Sequence, residues 1–218
     1  MKYPNERQIE YWTSRAVEEY FDNEGYTTIV LPNSQHAEKH LPYDHLFAGE
    51  GIKIFGFQYK RLYPGNQEDY WKIDINQYNQ IQKYSWIYYA LSEVNSIARR
   101  RNALHLLVIM SSIQMHGIVN STSASQQFNL NRSRIGVSKG VPYYRWGGFV
   151  QGLLSCKIGW KPSTEEELQV VFENARDIKD TLVDLYLVAP SLNTAIRMTP
   201  FIRDIEDTRD PFDFGINK

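Results

Sequence analysis

Three side chains early in the sequence have the makings of a hydrolytic site: the carboxylate of Asp44 and, fourteen positions on, the amide of Gln58 and the amine of Lys60 in Gly56-Phe57-Gln58-Tyr59-Lys60-Arg61. Carboxylate and amide oxygens are hard donors of the kind Mg2+ accepts, and an amine beside them can steer a water or offset charge on a phosphate. The same residues also read as ordinary surface, with Asp44 in a turn and Gln58 and Lys60 on the solvated face of an edge strand. A polar pair between such apolar flanks points instead to a crevice.

Positioning those side chains requires strands, and the local pattern supplies them. Apolar residues recur at three- and four-residue steps from Asn5 to Asp22, which predicts an amphipathic helix, and Gly25 ends it. Tyr26 to Leu31 is a β-branched run bounded by Pro32-Asn33-Ser34. Tyr43 to Ala48 reads as a second short strand, and Gly49-Glu50-Gly51 as the turn of a hairpin into a third strand, Ile52 to Arg61. With period two, Gln58 and Lys60 share one face of that strand while Phe57 and Tyr59 share the other.

Further on, a Pro64-Gly65-Asn66 turn leads to a helix over Ile73 to Tyr84, and the aromatic run Ser85 to Leu91 reads as a strand. Leu104 to Met110, short, apolar and preceded by Arg99-Arg100-Arg101, predicts a buried strand. Ser111 to Val141 is polar and reads as a long irregular excursion, followed by a helix within Tyr144 to Cys156. Ser163 is a candidate N-cap for a helix rich in glutamate at its start, Thr181 to Val188 a last strand, and the charged stretch after Pro200 a surface tail.

Pro42-Tyr43-Asp44 and Gln58-Tyr59-Lys60, placed after a glutamate-bearing helix, resemble the active-site motif of the PD-(D/E)xK nuclease superfamily, which includes many restriction endonucleases and Holliday-junction resolvases. The resemblance spans roughly residues 6 to 91. It implies a restriction endonuclease-like three-layer α/β sandwich with a mixed central sheet flanked by helices, in a single nuclease-like domain with its core over about 5–110 and a C-terminal elaboration, all-helical or irregular, from about 111. It implies a hydrolase that cuts phosphodiester bonds in DNA with Mg2+, for which Mn2+ can substitute. Asp44 becomes the central metal ligand, Gln58 a neutral ligand where most members carry Glu or Asp, and Lys60 the group that organises the nucleophile. A further carboxylate completes the set, from the first helix in the resemblance, Glu10 by preference with Glu18 two turns away, and Glu6, Glu19 and Glu50 are further possibilities. Because an amide brings no charge, Gln58 also leaves room for a catalytically weak or inactive nucleic-acid-binding module.

Substrate contacts are expected from Gln77 on the following helix, from Arg61, and from Lys139, Tyr144, Arg145 and Trp146, which with Tyr143, Arg132 and Arg134 interleave cations and aromatic rings. His36, His40 and His45 offer a rival zinc chemistry, but they lack the glutamate of the metalloprotease motif. A net charge of −1 with pI near 6.5 gives no global attraction to nucleic acid or an anionic membrane, so any contact must be local. The one cysteine, Cys156, excludes an intramolecular disulfide and reads as a small buried hydrophobe. The opening residues lack a secretory pattern and no apolar run is long enough for a span, which together predict a cytoplasmic protein. The 14% aromatic content suits a homodimer or a partner subunit as well as a core.

Overall fold

Asn5 opens α1 (Glu6–Asn23): its side chain accepts from the Gln8 backbone N–H at 2.8 Å, and the Gln8 side chain accepts in return from the Asn5 N–H at 3.0 Å. Ile9, Thr13, Val17 and Phe21 form the buried stripe of α1, one residue per turn. Gly25, at φ +80°, turns the chain into β1 (Thr27–Leu31). In the computed structural model the described residues are 3–31, 53–119, 127–161 and 183–189.

After β2 (Lys53–Lys60) come β3 (Leu62–Tyr63) and β4 (Tyr70–Asp74), an antiparallel hairpin. The helix expected over Ile73 to Tyr84 is shorter. Alternating burial carries the β4 strand as far as Asp74, whose side chain caps α2 (Ile75–Ile81) by accepting from the Gln77 N–H at 2.9 Å. The aromatic run beyond it forms β5 (Ile87–Ser92) as expected. Only the second half of Leu104 to Met110 is extended, as β6 (Leu107–Ser111), because the preceding residues close a turn behind a 3-10 helix (Ile97–Asn102) with Arg99, Arg100 and Arg101 all exposed.

The stretch expected to be irregular contains α3 (Ser112–Val119) and β7 (Gln127–Asn131). In β7 only Phe128 and Leu130 carry the period-two signal, and both are buried. The helix expected next is α4 (Trp146–Leu154), and the last expected strand is β8 (Val183–Ala189). Cys156 lies just past α4 and is exposed, against its reading as a buried hydrophobe.

The fold is mixed α/β. Its larger sheet has the order β1-β8-β2-β5-β6, with β2 and β5 parallel and the other pairs antiparallel. A smaller antiparallel sheet has the order β3-β4-β7. Residues beyond 111 therefore supply one strand of each sheet, a departure from the all-helical or irregular elaboration expected there. β8 pairs with β2 from Lys53 to Gln58, and β5 pairs with it from Gly56 to Lys60. Tyr43 to Ala48, the Gly49-Glu50-Gly51 turn, the helix after Ser163 and the tail after Pro200 lie outside the described residues.

Successive residues of β2 serve opposite cores. Phe55, Phe57 and Tyr59 pack with Ile9, Val17 and Phe21 of α1 and with Trp146, Phe149, Val150 and Leu153 of α4. Ile54 lies on the other side with Tyr89 and Leu91 of β5, Tyr78 of α2, Met115 of α3 and Trp71, Ile73 and Leu130 of the small sheet. Helices thus cover both faces of the larger sheet. Among the described residues no helix is long and apolar enough to cross a membrane.

Phe149 is fully buried and meets the rings of Phe55, Phe57, Tyr88, Tyr144 and Trp146 with centroids 5.1 to 6.3 Å away. Phe149→Ala is expected to cost about 3–5 kcal/mol of stability, read from the shift in the urea unfolding midpoint. A loss below about 1 kcal/mol would mean that α4 does not anchor this face.

Candidate active site

Gln58 is 2% exposed in the middle of the larger sheet, which overturns its reading as part of a solvated edge. A buried amide needs partners. Its Nε2 donates to the Tyr59 carbonyl at 3.2 Å, and its Oε1 accepts from Gln77 Nε2 at 3.1 Å. The crossover from β2 to β5 makes this possible: β4 ends at Asp74, the Asp74 cap fixes the first turn of α2, and Gln77 in that turn reaches back over β2.

Lys60 is the last residue of β2, on the Gln58 side, with its side chain 12% exposed and its amine 3.7 Å from Glu6 Oε1. The chain path explains the pairing. Tyr3 packs into the core on the α2 side of the sheet and Ile9 into the core on the α4 side, so the chain crosses between the two faces and Glu6 lies on that crossing. With one partner half-open to solvent, the pair contributes no more than about 1 kcal/mol to stability. Its importance is positional.

Among the helix-one acids, Glu10 stands one turn beyond Glu6, whereas Glu18 lies about 18 Å along the axis from Glu6. Glu18 is therefore too far from Lys60 to join it, contrary to expectation. Burial, and then the neighbouring Asp22, push the Glu18 carboxyl up, with Arg15 opposing them. Asp44 and Glu50 lie outside the described residues, as do His36, His40 and His45.

Two polar groups near this constellation have no hydrogen-bond partner among the described residues: Gln77 Oε1 and the Tyr89 hydroxyl, both buried. Tyr89 is the register partner of Gln58 on β5. Burial pushes its phenol far up, with smaller contributions from Tyr78 and Asp74, so it remains a neutral donor. Nothing in the run Trp86-Ile87-Tyr88-Tyr89 distinguishes Tyr89 as sequence; the parallel register does.

The donors present are of the right kind for a hard cation: amide oxygens of Gln58 and Gln77, the latter unpartnered, and the Glu6 carboxylate. Among the described residues no three His, Cys, Asp or Glu side chains gather in a way that could hold a metal ion.

Beyond Lys60, the Arg61 guanidinium lies 3.9 Å from the Tyr63 ring centroid and the Lys72 amine 4.7 Å from the same centroid, while Tyr63 stacks on Tyr70 at 5.8 Å. All four side chains are partly exposed. Arg61 was expected to contact substrate. The other three went unnoticed, because the cluster depends on the Tyr63 to Tyr70 pairing of the β3–β4 hairpin. The second expected surface dissolves in part. Trp146 is buried in the α4 core against Tyr20, Phe21 and Phe149; its spacing from Phe149, Val150 and Leu153 is that of a helix stripe. Tyr144 is half-buried, and its backbone pairs with Ile109. Arg145 forms an ion pair with Glu93 at 2.7 Å and donates to the Leu107 carbonyl. Lys139 alone of the four is fully exposed.

No family model, curated protein or solved structure matches this chain.

Gln77→Ala would leave the Gln58 oxygen buried without its donor and is expected to cost about 1–3 kcal/mol in the unfolding midpoint. Tyr89→Phe, which removes only an unpartnered hydroxyl, is expected to stay within about 0.5 kcal/mol of the parent. The reverse order of the two losses would contradict this hydrogen-bonding arrangement.

Proposed function

We propose that this chain is a metal-dependent nuclease of the PD-(D/E)xK type that hydrolyses phosphodiester bonds in DNA. The observation that carries the reading is the convergence of Gln58, Lys60, Gln77 and Glu6 at the carboxyl end of β2, beside its parallel neighbour β5. Open α/β sheets place their ligands at the carboxyl ends of parallel strands. The order helix, strand, Gln-x-Lys strand, helix and parallel strand also accords with a restriction endonuclease-like sandwich.

In this reading Asp44 and Glu6, with Glu10 one turn behind, supply charge, and the Gln58 and Gln77 oxygens supply neutral donors for Mg2+ or Mn2+. The bound cation would polarise a phosphoryl oxygen and make a coordinated water more acidic. Lys60 holds its ammonium beside that place, where it orients the attacking water and offsets charge building on the phosphate. The Arg61, Tyr63, Tyr70 and Lys72 cluster receives the strand next to the reacting group, its cations neutralising phosphate and its rings offering a stacking face.

A second reading, a nuclease-like module that binds nucleic acid without cutting it, draws on a specific feature: Gln58 Oε1 is already engaged by Gln77, and the Lys60 amine faces Glu6. Incubation of supercoiled plasmid with protein and Mg2+ or Mn2+ separates the two. Cutting by the wild type, reduced at least about 100-fold in Asp44→Ala and Lys60→Ala, is expected for the nuclease. Intact plasmid that is nonetheless retarded on a gel, with retardation weakened by Tyr63→Ala, supports the binding module. Neither cutting nor salt-sensitive retardation would eliminate both.

A further inference from the structure

The small antiparallel sheet has one face in the core and one face outward. Leu62, Trp71, Ile73, Phe128 and Leu130 are its buried residues, and they share a core with Tyr78 and Tyr89. Period two sends the residues between them to the other side. There the register sets Tyr63 opposite Tyr70, Tyr70 opposite Asn131 and Lys72 opposite Asn129. Neither Tyr63 nor Tyr70 enters either core.

The solvent face of an antiparallel sheet is ordinarily polar, and this one carries rings instead. Tyr63 and Tyr70 are stacked, with centroids 5.8 Å apart and planes 15° from parallel. The Arg61 guanidinium covers the Tyr63 ring at 3.9 Å, and the Lys72 amine approaches the same ring at 4.7 Å. Ion pairs among the described residues use Lys60, Arg132 and Arg145, so neither Arg61 nor Lys72 is paired with a described carboxylate. The arrangement is also tied down. Glu68, in the loop of the β3–β4 hairpin, accepts from the Ser133 N–H and hydroxyl, each at 2.6 Å, and Asp69 accepts from the Tyr3 hydroxyl at 2.9 Å. These contacts fasten the loop to the chain just past β7 and to the chain just before α1, which sets the rings before any partner arrives.

Rings recognise the faces of other rings. In an intact duplex the base faces are already stacked on one another, and only edges, sugars and phosphates are offered to a protein. Aromatic side chains on a broad sheet face, with cations beside them, match a strand whose bases are unpaired. Its bases stack on the tyrosines or on the Arg61 guanidinium plane, and its phosphates meet Arg61 and Lys72. Three strands span about 10 Å and five residues about 17 Å, which gives room for about two or three bases. Asn129, exposed beside Lys72, offers its amide to a base edge. Arg61 directly follows Lys60, so a strand lying on this face runs past the amine of the proposed active site.

We propose, on the reading that the partner is DNA, that the outer face of the small sheet is a stacking platform for unpaired nucleotides, which makes single-stranded or locally melted DNA the preferred substrate over intact duplex. Binding is read without cutting, in EDTA, by the fluorescence anisotropy of a labelled oligothymidylate of about twelve nucleotides and of the duplex it forms with its complement. The wild type is expected to bind the single strand at least about tenfold more tightly than the duplex. Tyr63→Leu, which keeps apolar bulk and removes the ring, is expected to weaken single-strand binding about 5- to 100-fold and duplex binding less than about twofold, while Tyr63→Phe retains both. Lys72→Ala is expected to weaken both and to lower the slope of log affinity against log salt by about one. Urea unfolding midpoints establish that each variant is folded, and Tyr70→Leu serves the same comparison if Tyr63→Leu is not. Equal affinity for single strand and duplex, or a folded Tyr63→Leu or Tyr70→Leu with wild-type affinity for the single strand, would overturn the proposal. Plasmid cutting by a wild type without single-strand preference would remove the platform and leave the nuclease standing; Tyr63-dependent single-strand binding without any cutting would do the opposite.

Discussion

The position of β2 between β8 and β5, paired along both edges and packed on both faces, is the constraint on which the rest of the structure depends. Phe55, Phe57 and Tyr59 anchor α1 and α4 on one side. Ile54, Gln58 and Lys60 face the other, and β5 must run parallel so that α2 can cross over them. Because a strand alternates strictly, a register shift of one residue would send Gln58 into the aromatic core and Phe57 against Gln77.

That constraint gives a physical reason for glutamine at 58. A carboxylate so completely buried would be driven to its neutral form unless a cation stood beside it, whereas an amide can be satisfied by the Gln77 donor and the Tyr59 acceptor alone. Among the described residues Gln77 Oε1 remains as an unpartnered acceptor. Charge is supplied near this amide pair by Lys60 and Glu6.

Local signals made much of the fold legible in the sequence. The three- and four-residue spacing of apolar residues from Ile9 to Phe21, the Gly25 stop and the alternation around Gln58 each act within a few residues, and each produced the expected element. Pairing is different in kind. β8 comes more than 120 residues after β2, and no local pattern says that Leu185 will lie beside Gly56. Trp146 was misread because an aromatic beside an arginine suits both a nucleic-acid surface and the first turn of a buried helix. The Glu6 contact was left open for a related reason: helical spacing fixes which acids share a face but not where the chain crosses the sheet.

The central claim is that the Gln58 and Gln77 amides, with Lys60 and Glu6 beside them, border a place for a divalent cation. Paramagnetic Mn2+ added to 15N-labelled protein tests it most directly, with the side-chain amide resonances of Gln58 and Gln77 followed at substoichiometric metal. The account predicts that these two signals broaden before any other glutamine side chain, that Mg2+ competes the effect away, and that Asp44→Ala greatly weakens it. Uniform broadening of surface carboxylate neighbourhoods, with the Gln58 and Gln77 amides untouched, would contradict it.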